Sequence, residues 1–223
     1  MCKFSDIEET VYFWGRNDSV IINGLLLGNI ESALEWAENA AIMDNKGILE
    51  EYDKGDRIID TDLDRKMVSS LKNRLFENLD DKAKKEKILE TARNDISNII
   101  NAMEPLKNEM LLYRTVWHDI NELSSLNINA VVEYKNISST CSIAPIWEDK
   151  GEDFYRYEIT VPAGGLILEL DKFAVRQNWH GEEGEVLLPP MKCRIKNMRE
   201  SDNENCKGII ELEYIEKLPI NYR

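Results

Sequence analysis

The feature that most constrains this sequence is a change in its hydrophobic periodicity near residue 109. Before that point, apolar residues recur at spacings of three and four, which predicts amphipathic helices. After it, several short segments alternate apolar and polar residues, which predicts strands. Because the helices come first and no flexible linker precedes the strands, we expect one α+β domain over residues 1–223, mainly helical over 1–108 and mainly β over 109–223.

The predicted helices share an apolar face with helical spacing. They cover residues 30–41 with Asn29 as the N-cap, residues 48–52 after a break near Gly47, a segment from about residue 62, and about residues 80–103. Pro105 ends the last helix, because proline cannot continue one. Trp14 and Trp36 fall at positions typical of core or supporting residues.

The predicted strands are short and are separated by turn residues such as Gly164-Gly165 and Pro189-Pro190. They cover residues 110–114, 130–134, 155–161, 166–170, 185–188, 193–195 and 209–214. Several of them alternate in the manner of a strand with one buried face. The second half of the chain is therefore expected to form a sheet.

The net charge of −14 limits the class of partner. A field of this sign repels phosphate backbones and anionic lipid headgroups, so general nucleic-acid binders and membrane-surface binders are disfavoured. The acidity fits either solubility alone or attraction to a basic target surface. The N-terminus has no apolar run of signal-peptide length, and no segment has the apolar length of a membrane span. We expect the protein to act in a cytoplasm, in the producing cell or after delivery into a host or target cell.

The four cysteines and two histidines show no spacing typical of metal ligands, so no metal site is expected. Cys193 and Cys206 could approach one another across a hairpin, but nothing in the sequence indicates that they bond. Free thiols in a reducing compartment are the simpler interpretation.

Two segments carry side chains suited to binding a nucleotide. The apolar run Leu-Leu-Tyr-Arg ends at Arg114, and a guanidinium at a strand end can hold a phosphate through two parallel hydrogen bonds or can simply be solvated. The run Ser-Ser-Thr-Cys contains Ser139 and Thr140 directly after a predicted strand. Its hydroxyls can orient a ribose or a carboxylate, or can bond their own backbone in a turn.

A third segment, Glu-Glu-Gly-Glu-Val-Leu-Leu-Pro, contains Glu183 and Glu185. These two residues share one face in extended chain. Glu185 opens an apolar strand, so its carboxylate is expected near the interior of the fold, where it can stabilise a cation. The alternative interpretation is a solvated acidic loop.

Taken in order, these segments resemble the arginine–serine–glutamate class of mono-ADP-ribosyltransferases. That class includes bacterial binary-toxin enzymes, clostridial exoenzymes that modify Rho, and vertebrate ecto-transferases. The resemblance covers residues from about 110 to 215, and the helical half only by general character. Ser139 occupies the first serine position of the motif, whereas Ile137 and Cys141 replace its usual aromatic residue and last serine. The glycine that often follows the arginine is Thr115 here.

The resemblance implies a mixed, mainly antiparallel β-sandwich core and an enzyme that uses NAD as substrate and needs no metal. It implies that Arg114 holds the diphosphate, that Thr115 binds the nicotinamide amide through its backbone, and that Ser139 and Thr140 contact the NAD or position the catalytic carboxylate. It further implies that Glu185 stabilises the cation formed on the ribose when nicotinamide leaves.

The same resemblance assigns the acceptor side of the site. Glu183 would pair with an incoming guanidinium, which favours a protein arginine as acceptor. Trp179 would contact the target protein, or would only pack its own loop. Two other functions are open: an NAD glycohydrolase with water as acceptor, and a catalytically silent acidic module that binds a partner.

Overall fold

The computed structural model describes residues 5–116, 127–143, 154–173, 175 and 184–220. These residues form two compact units, one of residues 5–102 with 173 and 175, and one of residues 103–172 and 184–220. The first unit is helical and the second is built of strands. The change of secondary structure therefore falls close to the change in periodicity.

The helical unit contains six α-helices among its described residues. They are α1 (Asp6–Phe13), α2 (Ser19–Leu27), α3 (Ile30–Trp36), α4 (Ile42–Lys54), α5 (Asp62–Asn73) and α6 (Asp81–Ala102), with π-helical turns at Trp14–Asp18 and Ala37–Ala41. Helix α6 packs against α1, α2 and α3, and α4 packs against α5. No helix of the described chain is long and apolar enough to span a bilayer.

Local signals account for several helix ends. The hydroxyl of Thr61 accepts a hydrogen bond from the backbone N–H of Asp64 and caps α5. Asn29 lies at the N-cap of α3, although its side chain makes no capping bond. The predicted break near Gly47 is wrong, because α4 continues through it. One internal glycine costs a helix only about 1 kcal/mol, and the burial of Ile48 and Leu49 offsets this cost.

The second unit contains nine strands among its described residues. They are β1 (Glu104–Pro105), β2 (Met110–Val116), β3 (Val131–Tyr134), β4 (Ser138–Cys141), β5 (Phe154–Val161), β6 (Leu166–Glu169), β7 (Glu185–Leu188), β8 (Met191–Arg199) and β9 (Cys206–Lys217). All seven predicted strands are present, most with shifted ends. Pro105 lies in β1, which the sequence does not predict, and β4 is likewise a strand where only a hydroxyl-rich segment was expected.

The strands form one mixed sheet in the order β1-β6-β7-β4-β2-β5-β9-β8-β3. Strands β5 and β9 pair in parallel, whereas the other described pairs are antiparallel. The rings of Tyr134 in β3 and Tyr157 in β5 lie 6.2 Å apart. In a flat sheet these strands would be about 14 Å apart, at roughly 4.8 Å per strand. The sheet therefore curls around its apolar core.

That core is formed by one face of the sheet. Its fully buried members include Leu112, Ile159, Val186, Leu188, Cys193, Ile195 and Leu212. The three cysteines of the described chain, Cys141, Cys193 and Cys206, are buried, and none of them forms a disulfide within it. Burial raises the pKa of the Cys193 thiol to about 12, so it stays protonated at neutral pH.

Candidate active site

Strands β4 and β7 bring the predicted hydroxyl and carboxylate together. In their antiparallel register, Ser139 lies opposite Leu187 and Cys141 lies opposite Glu185. Ser139 and Glu185 are therefore diagonal neighbours on one face. The Ser139 Oγ donates a hydrogen bond of 2.8 Å to Glu185 Oε1. Glu185 is only 6% exposed, so this hydroxyl fixes a carboxylate that is largely removed from water.

Thr140 projects to the opposite face of β4, because successive side chains alternate. Its hydroxyl is buried and donates a 2.7 Å hydrogen bond to the carbonyl oxygen of Val186. This bond ties β4 to β7 next to the Ser139–Glu185 pair. It gives the Thr140 hydroxyl a structural partner, and its contact with NAD stays a prediction.

Gly184, the residue between the two glutamates of the motif, has a φ of +80°. A side chain there would be strained, and its Cβ would lie 2.5 Å from the Ser142 Oγ. The Gly184 carbonyl accepts a 2.8 Å hydrogen bond from the Ser142 N–H. The Gly184 N–H donates one of 2.7 Å to Asp171 Oδ2. Glu185 thus enters β7 from a turn that favours glycine and is held from two sides.

Arg114 lies in β2 opposite Tyr157 of β5 and is half-buried. Burial lowers the pKa of this guanidinium, and the phenol groups of Tyr134 and Tyr157 act in the other direction. No carboxylate of the described residues forms an ion pair with it. A half-buried guanidinium whose described neighbours are phenols rather than carboxylates is suited to an anionic ligand.

The structure brings two of the three motif side chains together and leaves the third apart. Tyr113 lies opposite Cys141, which lies opposite Glu185, so these three residues share a face of the sheet. Arg114 follows Tyr113 directly and faces the other way. Among the described residues, the phenol groups of Tyr134 and Tyr157 are the ones that influence its charge.

No three His, Cys, Asp or Glu side chains in the part of the chain that is described are grouped so that they could hold a metal ion.

Comparison with known proteins rests on structure, because no protein-family model and no curated protein sequence matches the chain. The catalytic domain of VahC from Aeromonas hydrophila has a TM-score of 0.53 at 14% identity, over 95% of this chain and 99% of that one. Vis toxin, an ADP-ribosyltransferase from Vibrio splendidus, has a TM-score of 0.45 at 15% identity, over 96% and 74%. An ADP-ribosyltransferase toxin from Paenibacillus larvae, Plx2a, has a TM-score of 0.47 at 15% identity, over 66% and 78%.

The chain shares the fold of the VahC catalytic domain and is similar to the two bacterial ADP-ribosyltransferases. The predicted α+β class is confirmed, with a mixed and mainly antiparallel sheet. The resemblance drawn from the three short segments is thereby confirmed at the level of the fold.

Three further residues were predicted to belong to the site. Thr115 is 8% exposed in β2 and lies on the face of Tyr113. Glu183, the predicted acceptor-side carboxylate, and Trp179, the predicted target contact, lie outside the described residues. Their roles stay predictions.

Sequence analysis missed several residues that support the site without belonging to its predicted catalytic or binding groups. Asp171 follows an ordinary apolar strand, and no local pattern marks its carboxylate as a partner of a peptide 13 residues further on. Gly184 could have been found, since a glycine between two functional carboxylates suggests a backbone that other residues cannot adopt. The two tyrosines around Arg114 come from strands that the curl of the sheet brings together, which local sequence does not encode.

Proposed function

We propose that the protein is an NAD-dependent mono-ADP-ribosyltransferase, which releases nicotinamide and moves ADP-ribose to a side chain of a target protein. The observation that carries this proposal is the hydrogen bond from Ser139 to the buried carboxylate of Glu185, in a sheet of the ADP-ribosyltransferase fold. Both compact units are proposed to belong to this one enzyme domain. Its place of action would be a cytoplasm, of the producing cell or of a cell that receives it.

Glu185 is proposed as the catalytic carboxylate. Breaking the bond between nicotinamide and ribose builds positive charge on the sugar, as in glycoside cleavage. The attraction of a fixed carboxylate for that charge grows as the bond breaks, so it lowers the barrier rather than only tightening ground-state binding. The Ser139 hydroxyl keeps the carboxylate in one orientation. The burial of Glu185 weakens the competition from water.

Arg114 is proposed as a ligand of the diphosphate. Its guanidinium fits this role because it is half-buried and has no carboxylate counterion among the described residues. It is separate from the Ser139–Glu185 pair, so this assignment can fail without removing the catalytic one. Loss of Arg114 should raise KM for NAD, whereas loss of Glu185 should lower kcat.

Glu183 is proposed as the residue that engages the acceptor. It precedes Glu185 by two positions, and a carboxylate there suits a guanidinium, so we propose a protein arginine as acceptor. Trp179 is proposed to contact the same target. Water is the acceptor in the second candidate function, NAD glycohydrolysis.

The decisive experiment measures nicotinamide release and transfer of label from biotin-NAD to protein in a cell extract. For Glu185→Gln, we expect nicotinamide release to fall about 100- to 1,000-fold, as when one stabilising group of a transition state is lost. The glutamine keeps an acceptor for the Ser139 hydroxyl and lacks only the charge. For Glu183→Gln, we expect loss of protein labelling with slow NAD hydrolysis retained. Glu200→Gln changes an exposed carboxylate and serves as the control.

The outcomes separate the three candidate functions. Label on protein supports transfer, and mass spectrometry of that protein identifies the acceptor residue. Free ADP-ribose without labelled protein supports hydrolysis. Near-normal turnover by Glu185→Gln removes the proposed mechanism, and a wild-type protein that neither binds nor cleaves NAD supports a silent binding module.

A further inference from the structure

We propose that Asp171 is a positioning residue for the catalytic segment, because its carboxylate fixes the peptide through which the chain enters β7 at Glu185. This inference rests on the function proposed above. It concerns a side chain that lies outside the arginine, serine and glutamate segments and that would not itself touch NAD.

The first step of the argument is the conformation of Gly184. Its φ of +80° is a conformation that residues with a Cβ rarely adopt. A single rotation of this peptide would redirect the first residue of β7, because no residue separates Gly184 from Glu185. The direction of the catalytic carboxylate therefore depends on what holds the backbone of Gly184.

The second step is the pair of hydrogen bonds that does so. The Ser142 N–H donates to the Gly184 carbonyl at 2.8 Å, which continues the pairing of β4 with β7. The Gly184 N–H donates to Asp171 Oδ2 at 2.7 Å. A carboxylate that accepts from a backbone N–H forms a charge-assisted bond, which is stronger than a bond between neutral groups. Pairing with β4 thus fixes the carbonyl of Gly184, and Asp171 fixes its N–H.

The third step is the anchoring of Asp171 itself. It lies in a 3-10 turn, Leu170–Lys172, directly after β6, which pairs with β7. Leu170 is fully buried. The Lys172 Nζ lies 3.0 Å from a carboxylate oxygen of Glu169 and 3.1 Å from one of Glu104. The turn is therefore anchored mainly by the burial of Leu170, because the ion pairs of Lys172 are exposed and contribute little. Asp171 offers its carboxylate from this exposed turn.

The test compares Asp171→Ala and Asp171→Asn with the wild type. For Asp171→Ala, we expect kcat for nicotinamide release to fall about 10- to 100-fold, because misplacement of a reacting group by about 1 Å has effects of this size. KM for NAD should change less than about twofold, since the diphosphate is held elsewhere. Asp171→Asn should recover most of the activity, because its amide oxygen can accept from the same N–H. Asp202→Ala removes an exposed carboxylate and is the matched control.

Hydrogen exchange of the Gly184 N–H, measured by NMR, reports on its hydrogen bond to Asp171 independently of enzyme activity. Exchange should be faster in Asp171→Ala and near wild type in Asp171→Asn. Unchanged exchange and unchanged kcat in Asp171→Ala would overturn the proposal, as would an asparagine variant as impaired as the alanine variant. If the wild type releases no nicotinamide, the proposed function fails, and the exchange data alone decide whether Asp171 holds the turn.

Discussion

Two arginines of the described chain, one in each unit, are in opposite electrostatic surroundings. Arg74, in the helical unit, forms two hydrogen bonds with the carboxylate of Asp95, at 2.8 and 3.0 Å, and a further one with Asp18. Glu9 lies 3.6 Å from its Nε, and its guanidinium carbon lies 4.1 Å from the ring centroid of Phe13. Arg114, in the sheet unit, has only phenol groups as charged or ionisable neighbours among the described residues.

The pKa values of the two guanidiniums shift in opposite directions for this reason. Burial alone lowers the pKa of Arg74, but Asp95 and Asp18 outweigh it, and the pKa lies above its ordinary value. Burial lowers the pKa of Arg114, and no carboxylate among the described residues compensates for it. An arginine that is satisfied within the fold stabilises the fold. One that is enclosed without a counterion costs stability and is available to a ligand.

The largest expected effect is a difference in the free energy of unfolding between variants of the two arginines. Arg74→Met leaves the carboxylates of Asp18 and Asp95 buried without their cation, and we expect the free energy of unfolding to fall by about 3–5 kcal/mol. Arg114→Met removes a half-buried charge that has no carboxylate counterion among the described residues, so we expect no loss of stability beyond about 1 kcal/mol. Urea denaturation followed by circular dichroism measures both.

NAD kinetics of the same two variants sharpen the comparison. Arg114→Met should raise KM for NAD by about tenfold or more, which corresponds to roughly 1.4 kcal/mol of lost binding. An Arg114→Met protein as unstable as Arg74→Met would contradict the comparison. It would make Arg114 a structural residue of the sheet.

The next effect comes from the surplus of negative charge around Arg74. Burial raises the pKa of Asp18 from 3.8 to about 6, the nearby Asp95 adds to this, and Arg74 and Arg16 oppose it. Because the folded-state pKa is the higher one, the native state binds more protons than the unfolded state between about pH 4 and 6. The free energy of unfolding should therefore rise as pH falls from 7 to 4.5, by up to about 2 kcal/mol from this group.

Asp18→Asn is the matched variant for this prediction, since it removes the titrating group at nearly constant shape. The difference in unfolding free energy between wild type and variant should depend on pH in this window. The same titration of Arg114→Met should show the wild-type dependence, because no carboxylate of the described residues is paired with Arg114. A difference between wild type and Asp18→Asn that is constant from pH 7 to 4.5 would falsify the assignment.

Local patterns predicted most of the fold but not the charge pairing. Alternation located β5, and the Glu-Val-Leu-Leu run located β7. Strand β4 was missed because Ser-Ser-Thr-Cys has no apolar alternation, and its pairing comes from β7 and β2. The partners of Arg74 lie 56 and 21 residues away in sequence, so no window of sequence could pair them.

The residues of the candidate site were likewise predictable from sequence, but their full arrangement was not. Ser139 and Glu185 were selected as members of an ordered motif, and the sheet register places them in contact. The separation of Arg114 from them depends on which face of β2 it occupies. Trp36, expected in or near the core, is 41% exposed, because helical spacing alone does not say which side of α3 is covered.

The smallest expected effect concerns two buried threonines. One donates a hydrogen bond to a carboxylate and the other to a neutral peptide carbonyl. The Thr10 Oγ1 donates to Asp95 Oδ1 at 2.7 Å, and the Thr140 Oγ1 donates to the Val186 carbonyl at the same distance. Both threonines are almost completely buried, so valine fits both sites with similar packing. A hydrogen bond to a charged group contributes about 1.5–3 kcal/mol, and one between neutral groups about 0.5–1.5 kcal/mol.

Thr10→Val also removes the acceptor of the 3.0 Å hydrogen bond from Asn98 Nδ2. It should therefore destabilise the protein more than Thr140→Val, by at least about 1 kcal/mol in urea denaturation. The kinetics of Thr140→Val also test whether its hydroxyl contacts NAD. If the hydroxyl only ties β4 to β7, KM for NAD should stay within about twofold of wild type, and an increase of tenfold or more would show a direct contact. Equal losses of stability at the two sites would mean that the carboxylates around Arg74 are no stronger acceptors than a peptide carbonyl.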